Sequence, residues 1–368
     1  MKPWHEHFPH WSDPVVPPPA LASVLDEGPR DEAELAFARF VDELPKVEVH
    51  VHAEAAVPSR FYASLRGDAA PPAPKGALAD FQGFGERWME NLAAIRRPSD
   101  YRALARAFVE DRAARRIVHS ECHLSLLDTS LYRARFAPGL PVLDLRESLT
   151  AFVEGLREAE GAAPDVRVRV ILDLVYLAGQ NELDQTYQLL RSFVATALNR
   201  DAEGERVVVG VGLGGPERPG RAAFFAAALP RFRALGLKLD LHSGEQPHVT
   251  PADHRRALLT LRPDRVGHGM RGAPAGVFFE GALAACPISN VLLGGHQGPL
   301  AEHPIGEMVR RGLCVSVNTD DPLLFGTNLV VEYVALRRAF GYEQDFVRLT
   351  QDNARRQLFS PIRTSPRA

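Results

Sequence analysis

The sequence predicts a TIM-type (β/α)8 barrel, and three observations predict it. After Pro45, short β-branched runs alternate with longer stretches of helical period, the pattern of repeated βα units over a parallel sheet. Eight such runs occur, at 46–54, 116–125, 167–175, 207–215, 238–245, 265–270, 282–290 and 313–321. Eight parallel strands close on themselves and leave no unpaired edge. Finally, polar residues with metal-binding chemistry sit at the ends of these runs, whereas the interiors are Val, Leu and Ile; a barrel gathers its strand ends at one face.

Composition agrees with a large soluble core. The 368 residues are 45% hydrophobic and 24% charged, and barrels of about 250 residues or more form single domains, so 31–368 is expected to be one domain. A net charge of -3, with no basic run interleaved with aromatics, excludes a nucleic-acid polymer as partner. No apolar run approaches the roughly 20 residues of a membrane span, and the start MKPWHEHFPHW lacks a leader pattern, so a cytoplasmic protein without membrane contact is expected. Cys122, Cys286 and Cys314 are odd in number and far apart, which reads as reduced, mostly buried thiols.

Residues 1–30, rich in Pro and aromatics without period, are expected to form a loosely attached arm whose His5, His7 and His10 are incidental. The 46–54 run follows, and VEVHVHAE places His50 and His52 two residues apart, hence on one face of a strand. Two imidazoles converging from one strand can neighbour each other around a divalent ion. About 60 residues then intervene before the second run, including AAPPAPKGALA and the aromatics Phe81, Phe84 and Trp88. An insertion after a strand lies on the C-terminal face, so 55–110 is a candidate helical lid, although Phe61, Tyr62, Phe81, Phe84 and Trp88 could equally pack helices on the barrel wall.

The second run carries His119, Glu121 and His123 on one pleat face, either a rival metal set or support for the main one. The fifth ends LDLHSGE, where His242 can supply a third nitrogen and Glu245 a carboxyl for proton transfer, its pKa raised by enclosure. The sixth ends in His268 between glycines that let the backbone turn sharply. The eighth ends in Asp320 and Asp321, which the pleat sends apart: one toward a metal, the other toward a substrate. His296 and His303 lie beyond the seventh run, in a loop that either lines the pocket or is solvated.

With these residues laid out, the chain resembles the adenosine deaminase family of metal-dependent amidohydrolases. LPKVEVHVHAE looks like that family's first-strand motif, LHSGE its fifth, DRVGHG its sixth, CPISN its seventh and VNTDDPLLFGT its eighth, in order across 44–359. The resemblance implies one Zn2+ per subunit on His50, His52, His242 and Asp320, with catalytic roles for Glu245, His268 and Asp320. Glu245 would protonate purine N1, and His268 would orient the hydroxide that displaces ammonia. Gly215 in VGVGLGGPE matches a backbone donor to N3, Asp321 the residue at N7, and His52 and Glu54 also face the substrate. The implied partner is a small-molecule purine base or nucleoside, with adenosine the default.

Departures from the pattern concern the pocket. Ala53-Glu54-Ala55 stands where adenosine-specific relatives show an aspartate followed by glycine, and resembles relatives acting on adenine or aminodeoxyfutalosine. Pro216 replaces an expected acid, and the stretch from His268 to Cys286 looks short. Two other functions fit the residues less well. A two-metal ester or amide hydrolase calls for a bridging acid or lysine on the fourth strand, and VVVGVGLGG has no lysine; an inactive purine-binding relative has no use for an open-site metal plus a proton donor.

Overall fold

The computed structural model describes residues 2–11, 13, 19–21, 23–67, 81–133 and 137–360. Eight parallel strands pair in sequence order: β1 (Lys46–His52), β2 (Ile117–Leu124), β3 (Arg167–Val175), β4 (Val208–Gly214), β5 (Lys238–Ser243), β6 (Arg265–His268), β7 (Ala282–Ala285) and β8 (Val315–Val317). Closure runs through a bridge between Val51 and Asp320, and the Asn318 side-chain oxygen accepts the amides of Val49 (2.9 Å) and His50 (3.1 Å). The result is the expected TIM-type barrel, with helices on its outside.

Period-two alternation separates two environments. Val47, Val49, Val51, Leu172, Leu174, Val211, Leu213, Leu239 and Leu241 are all buried, for the most part beneath the helices. The other strand face turns inward and is polar, carrying His50, His123, Asp173, Asp240, His242 and Arg265, all buried. Glycines make room for them: a Cβ on Gly212 would stand 2.7 Å from His123 Nδ1, and one on Gly267 would stand 2.4 Å from His50 Cε1. The alternating glycines of VVGVGLG thus empty one wall of the barrel so that opposing imidazoles fit.

Two runs end earlier than their sequence pattern suggests. The seventh stops at Ala285, because Pro287 starts the helix Pro287–Leu292, so Ser289 and Asn290 sit on a helix at the barrel mouth. The eighth stops at Val317, and Asp320 adopts φ +63°, a left-handed conformation rare for a residue with a side chain; His268, with φ +65°, shares it. Both strained residues lie where the chain turns over the mouth of the barrel.

The expectation of a loose arm differs from what its described residues show. Trp4, Phe8 and Trp11 are 5% exposed or less, Phe8 stacks on Trp11 at 4.5 Å, and all three join the core cluster containing Val266, Leu283 and Val315. Three aromatic rings carry too much apolar surface to stay in water beside an open barrel flank. Arg338 pins the following segment through Glu34 (Nε to Oε1, 2.6 Å) and the Val24 carbonyl (3.1 Å). Arg338→Met leaves Glu34 buried without its cation and is expected to lower unfolding stability by about 3 kcal/mol in urea titration; a loss under about 0.5 kcal/mol would show the arm to be energetically idle.

In the insertion after β1, the 69–79 stretch lies outside the described residues. The helix Phe81–Leu92 reaches over the barrel mouth: Trp88 Nε1 donates to Asp128 Oδ2 (2.8 Å), its ring meets the His52 ring edge-on at 5.8 Å, and Phe84 stacks between Trp88 and Phe325. The helix Pro98–Ala114 instead packs against the helix Leu145–Ala162 on the wall. Phe61 and Tyr62 are buried in the core cluster with Tyr101 and Phe108 of the helix Pro98–Ala114, whereas Phe84 and Trp88 lie at the mouth. No helix among the described residues is long and apolar enough to cross a membrane.

Candidate metal centre and active site

At the C-terminal mouth, side chains from β1, β5 and the turn after β8 converge. One donor atom each from His50, His52, His242 and Asp320 lies within 4.8 Å of every other, and all but His52 are at most 3% exposed. His52 Nε2 stands 3.2 Å from His242 Nε2 and 3.4 Å from Asp320 Oδ1, which is 3.5 Å from His50 Nε2. Ligands about 2.0–2.1 Å from a tetrahedral zinc are separated by roughly 3.3 Å, so these spacings match the edges of such a shell. On the side facing Asp320, His50 Nε2 is buried without a hydrogen-bond partner. A buried nitrogen left without a partner calls for a ligand, and the donor set fits a divalent ion.

Burial opposes charge on His50, but the facing Asp240 and Asp320 outweigh it; at His242 and Asp320 the protonation states suit a metal. Burial, reinforced by the neighbouring His50 and His123, holds His242 well below the usual imidazole range, leaving one ring nitrogen with a free lone pair. Burial alone would raise Asp320, but the facing His50 and His52 outweigh it and keep the carboxylate ionised. Ser289 Oγ donates to the other Asp320 oxygen at 2.6 Å and so fixes the carboxylate plane.

Behind the first two histidines lies a layer only partly foreseen. His123 stands between Asp173 Oδ1 (Nδ1, 2.7 Å) and Asp240 Oδ2 (Nε2, 3.2 Å). Burial opposes charge on His123, yet Asp173 and Asp240 raise its pKa to about 10, so it is an imidazolium. Those two carboxylates also face the rear nitrogens: Asp173 Oδ2 is 3.6 Å from His52 Nδ1, and Asp240 Oδ2 is 3.7 Å from His50 Nδ1. Arg265 completes the network, binding Asp240 (2.8 Å) and Glu121 (2.6 Å). Of the second-strand trio, Glu121 and His123 thus support the histidines, while His119 is buried with neither ring nitrogen hydrogen-bonded. Asp173 and Asp240 went unnoticed in sequence because an acid inside an apolar run is a weak signal without its partner; their period-two phase with the glycines was the available clue.

Glu245 is 4% exposed and its Oε2 lies 3.9 Å from His268 Nε2. Burial raises its pKa well above the ordinary carboxyl range, and the nearby Asp320 and Glu217 raise it further. Beside Pro216, Glu217 accepts the amides of Gly244 (2.9 Å), Glu245 (2.8 Å) and Gln246 (3.0 Å), holding the turn that carries Glu245. Burial lowers His268 to about 3, so its imidazole is neutral. Asp321 has one buried oxygen without a partner, and its pKa is pushed well up by burial, then by Asp320 and Glu245. Glu54 behaves alike: Oε1 accepts the Ser125 amide (2.8 Å), Oε2 is unpartnered, and burial raises the group to about 8. Gly215 turns out of β4 at φ +74°. His303 is buried, whereas His296 stays at the surface against the Pro299 carbonyl.

Comparison with known proteins bears on this arrangement. The family model for adenosine deaminase matches residues 45–366. The chain belongs to the adenosine deaminase family. Among its relatives, adenine deaminase of Rhodospirillum rubrum is 30% identical over 332 residues, covering 86% of this chain and 92% of the relative. Aminodeoxyfutalosine deaminase of Streptomyces coelicolor is also 30% identical, over 327 residues, covering 83% and 77%. An amidohydrolase from Burkholderia ambifaria, crystallised with zinc, has the same fold, with a TM-score of 0.70, 22% identity, and coverage of 95% and 92%. As a member of the adenosine deaminase family, this chain is a hydrolase that releases an amino group from carbon.

Proposed function

We propose that the protein hydrolyses an aminopurine, water replacing the exocyclic amine, with one zinc held by His50, His52, His242 and Asp320. The observation that carries this reading is the convergence of a fitting four-donor cradle with three separate unpartnered buried groups, His268 Nε2, Asp321 Oδ1 and Glu54 Oε2, beside a protonated Glu245. A zinc ion in that cradle would supply water acidified toward neutral pH.

The chain's own groups supply the rest. Glu245 carries a proton and gives it to the ring nitrogen beside the reacting carbon as the C–O bond forms, so the ring does not accumulate charge. His268 holds the incoming oxygen through Nε2. Purine N7 only accepts hydrogen bonds; a carboxyl raised like Asp321 retains the proton needed to donate to it. Gly215 presents backbone to the ring, and Glu54 offers Oε2 on the side of β2. The Glu245 carboxylate so formed takes the proton of the added hydroxyl and passes it to the exocyclic amine, so the carbonyl forms, the C–N bond breaks and ammonia leaves; the next water returns Glu245 its proton. Trp88, resting against His52, keeps bulk water off the ring.

Carboxylates also bear on the substrate. Asp128 holds the Trp88 cover and Asp173 faces His52, while Glu54, two residues beyond His52, keeps Oε2 unpartnered. The side chains just named supply no cation to hold a phosphate, which favours a substrate without one. The names of the adenine and aminodeoxyfutalosine deaminases above, together with Glu54, support adenine or an adenine nucleoside of that kind over adenosine itself. The experiment is ammonia release by zinc-replete protein across adenine, adenosine, aminodeoxyfutalosine, N6-substituted forms and AMP. Turnover of one of the members without phosphate with AMP inert is expected; no ammonia from any would end the proposal. In the same assay Glu54→Gln should cost kcat/KM on the order of tenfold for the best substrate, as one buried hydrogen bond is mismatched.

A further inference from the structure

A line of hydrogen bonds enters the site from behind His268, and its direction is set by a peptide group. The Ile305 amide meets His303 Nδ1 at 3.1 Å. A peptide N–H can only donate, so His303 Nδ1 is a lone pair and the ring's proton is on Nε2. His303 Nε2 meets Asn290 Oδ1 at 3.1 Å, which orients the amide. Asn290 Nδ2, a donor only, then meets His268 Nδ1 at 2.9 Å. His268 must accept there and carry its proton on Nε2, the nitrogen that faces the reacting groups and has no protein partner. His268 and Asn290 are fully buried and His303 is 2% exposed, so water cannot satisfy a reversed arrangement. Reversal would set His303 Nδ1–H against the Ile305 N–H, two donors face to face.

We infer that Asn290 and His303 are positioning residues that lock His268 as its Nε2–H tautomer, making it a hydrogen-bond donor to the incoming oxygen and barring it from acting as a base. The inference rests on the proposed function for its catalytic meaning, but the tautomer is a property of the protein alone. Ser289, the residue before Asn290, meanwhile holds Asp320, so one short helix after β7 sets both the carboxylate plane and, through Asn290, the His268 proton. No proton has to move along the line during turnover.

The test is ring-nitrogen NMR on zinc-replete protein labelled with 15N-histidine. The spectrum at neutral pH should show His268 and His303 with Nε2 protonated and Nδ1 bare. Asn290→Asp replaces the donor by a group that only accepts, and should move the His268 proton to Nδ1 or add one there. In that variant kcat should fall on the order of 10²-fold at unchanged zinc content. His303→Leu frees the Asn290 amide to rotate and should mix the two tautomers, whereas His303→Gln, which can still donate to Asn290 Oδ1, should restore the Nε2–H form. A wild-type His268 found protonated on Nδ1 overturns the inference, even if both variants fail to fold. Absence of turnover in the wild type with the expected tautomer would count against the proposed function and leave the lock standing.

Discussion

Glu245→Gln should leave the protein folded and fully loaded with zinc, yet lower kcat by at least 10²-fold. Gln has the same shape, and Glu245 is not among the four cradle donors, so metal content gives it no reason to change. What is lost is the proton. Burial, Asp320 and Glu217 together raise the carboxyl well above the ordinary range, which on the proposed mechanism lets it donate to a ring nitrogen, and an amide cannot take its place. The wild-type rate should therefore decline on the alkaline side as Glu245 loses its proton, and the residual activity of the variant should lack that limb. Activity within a few-fold of wild type would move the acid role elsewhere.

His242→Ala should abolish stoichiometric zinc binding and turnover together. It removes one of four donors, and the nitrogen that stands 3.2 Å from His52 Nε2. Because a ligand that binds only the folded state stabilises it by mass action, zinc should raise the wild-type melting temperature, while the variant should melt alike with and without a chelator. Asp173→Asn makes an instructive companion. It keeps every donor but weakens the support of His52 and His123, and should loosen zinc by about 10- to 100-fold in chelator competition without removing it. Retention of one tightly held zinc by His242→Ala would show that the cradle is wrongly drawn.

Much of this was legible in the chain itself. Strand alternation has a period of two, so VEVHVHAE alone places His50 and His52 on one side, and the glycine alternation of VVVGVGLGG already marks the emptied wall. The order of eight runs specifies the barrel, because parallel βα units have few ways to close. His242, Glu245, His268 and Asp320 were found because they stand at run ends, where a barrel concentrates its chemistry.

The partnerships were not legible. Asp173 meets His123 across 50 residues of sequence and Asp240 meets it across 117, while Glu217 reaches the amides of the Glu245 turn from the loop after β4. Nothing in the local pattern of an apolar strand reveals which distant group will face a buried carboxylate. Asn290 was expected at a strand end but lies on a helix, and only there can it join His303 to His268. The arm read as polar-aromatic and aperiodic, yet Trp4, Phe8 and Trp11 are buried because a flank of the barrel happens to receive them. Sequence alone thus determined the barrel and the donor types at its mouth, through periodicities that are local. Tertiary structure decided the protonation, tautomer and orientation of those donors, because hydrogen-bond direction and desolvation depend on whichever groups the closed barrel brings face to face.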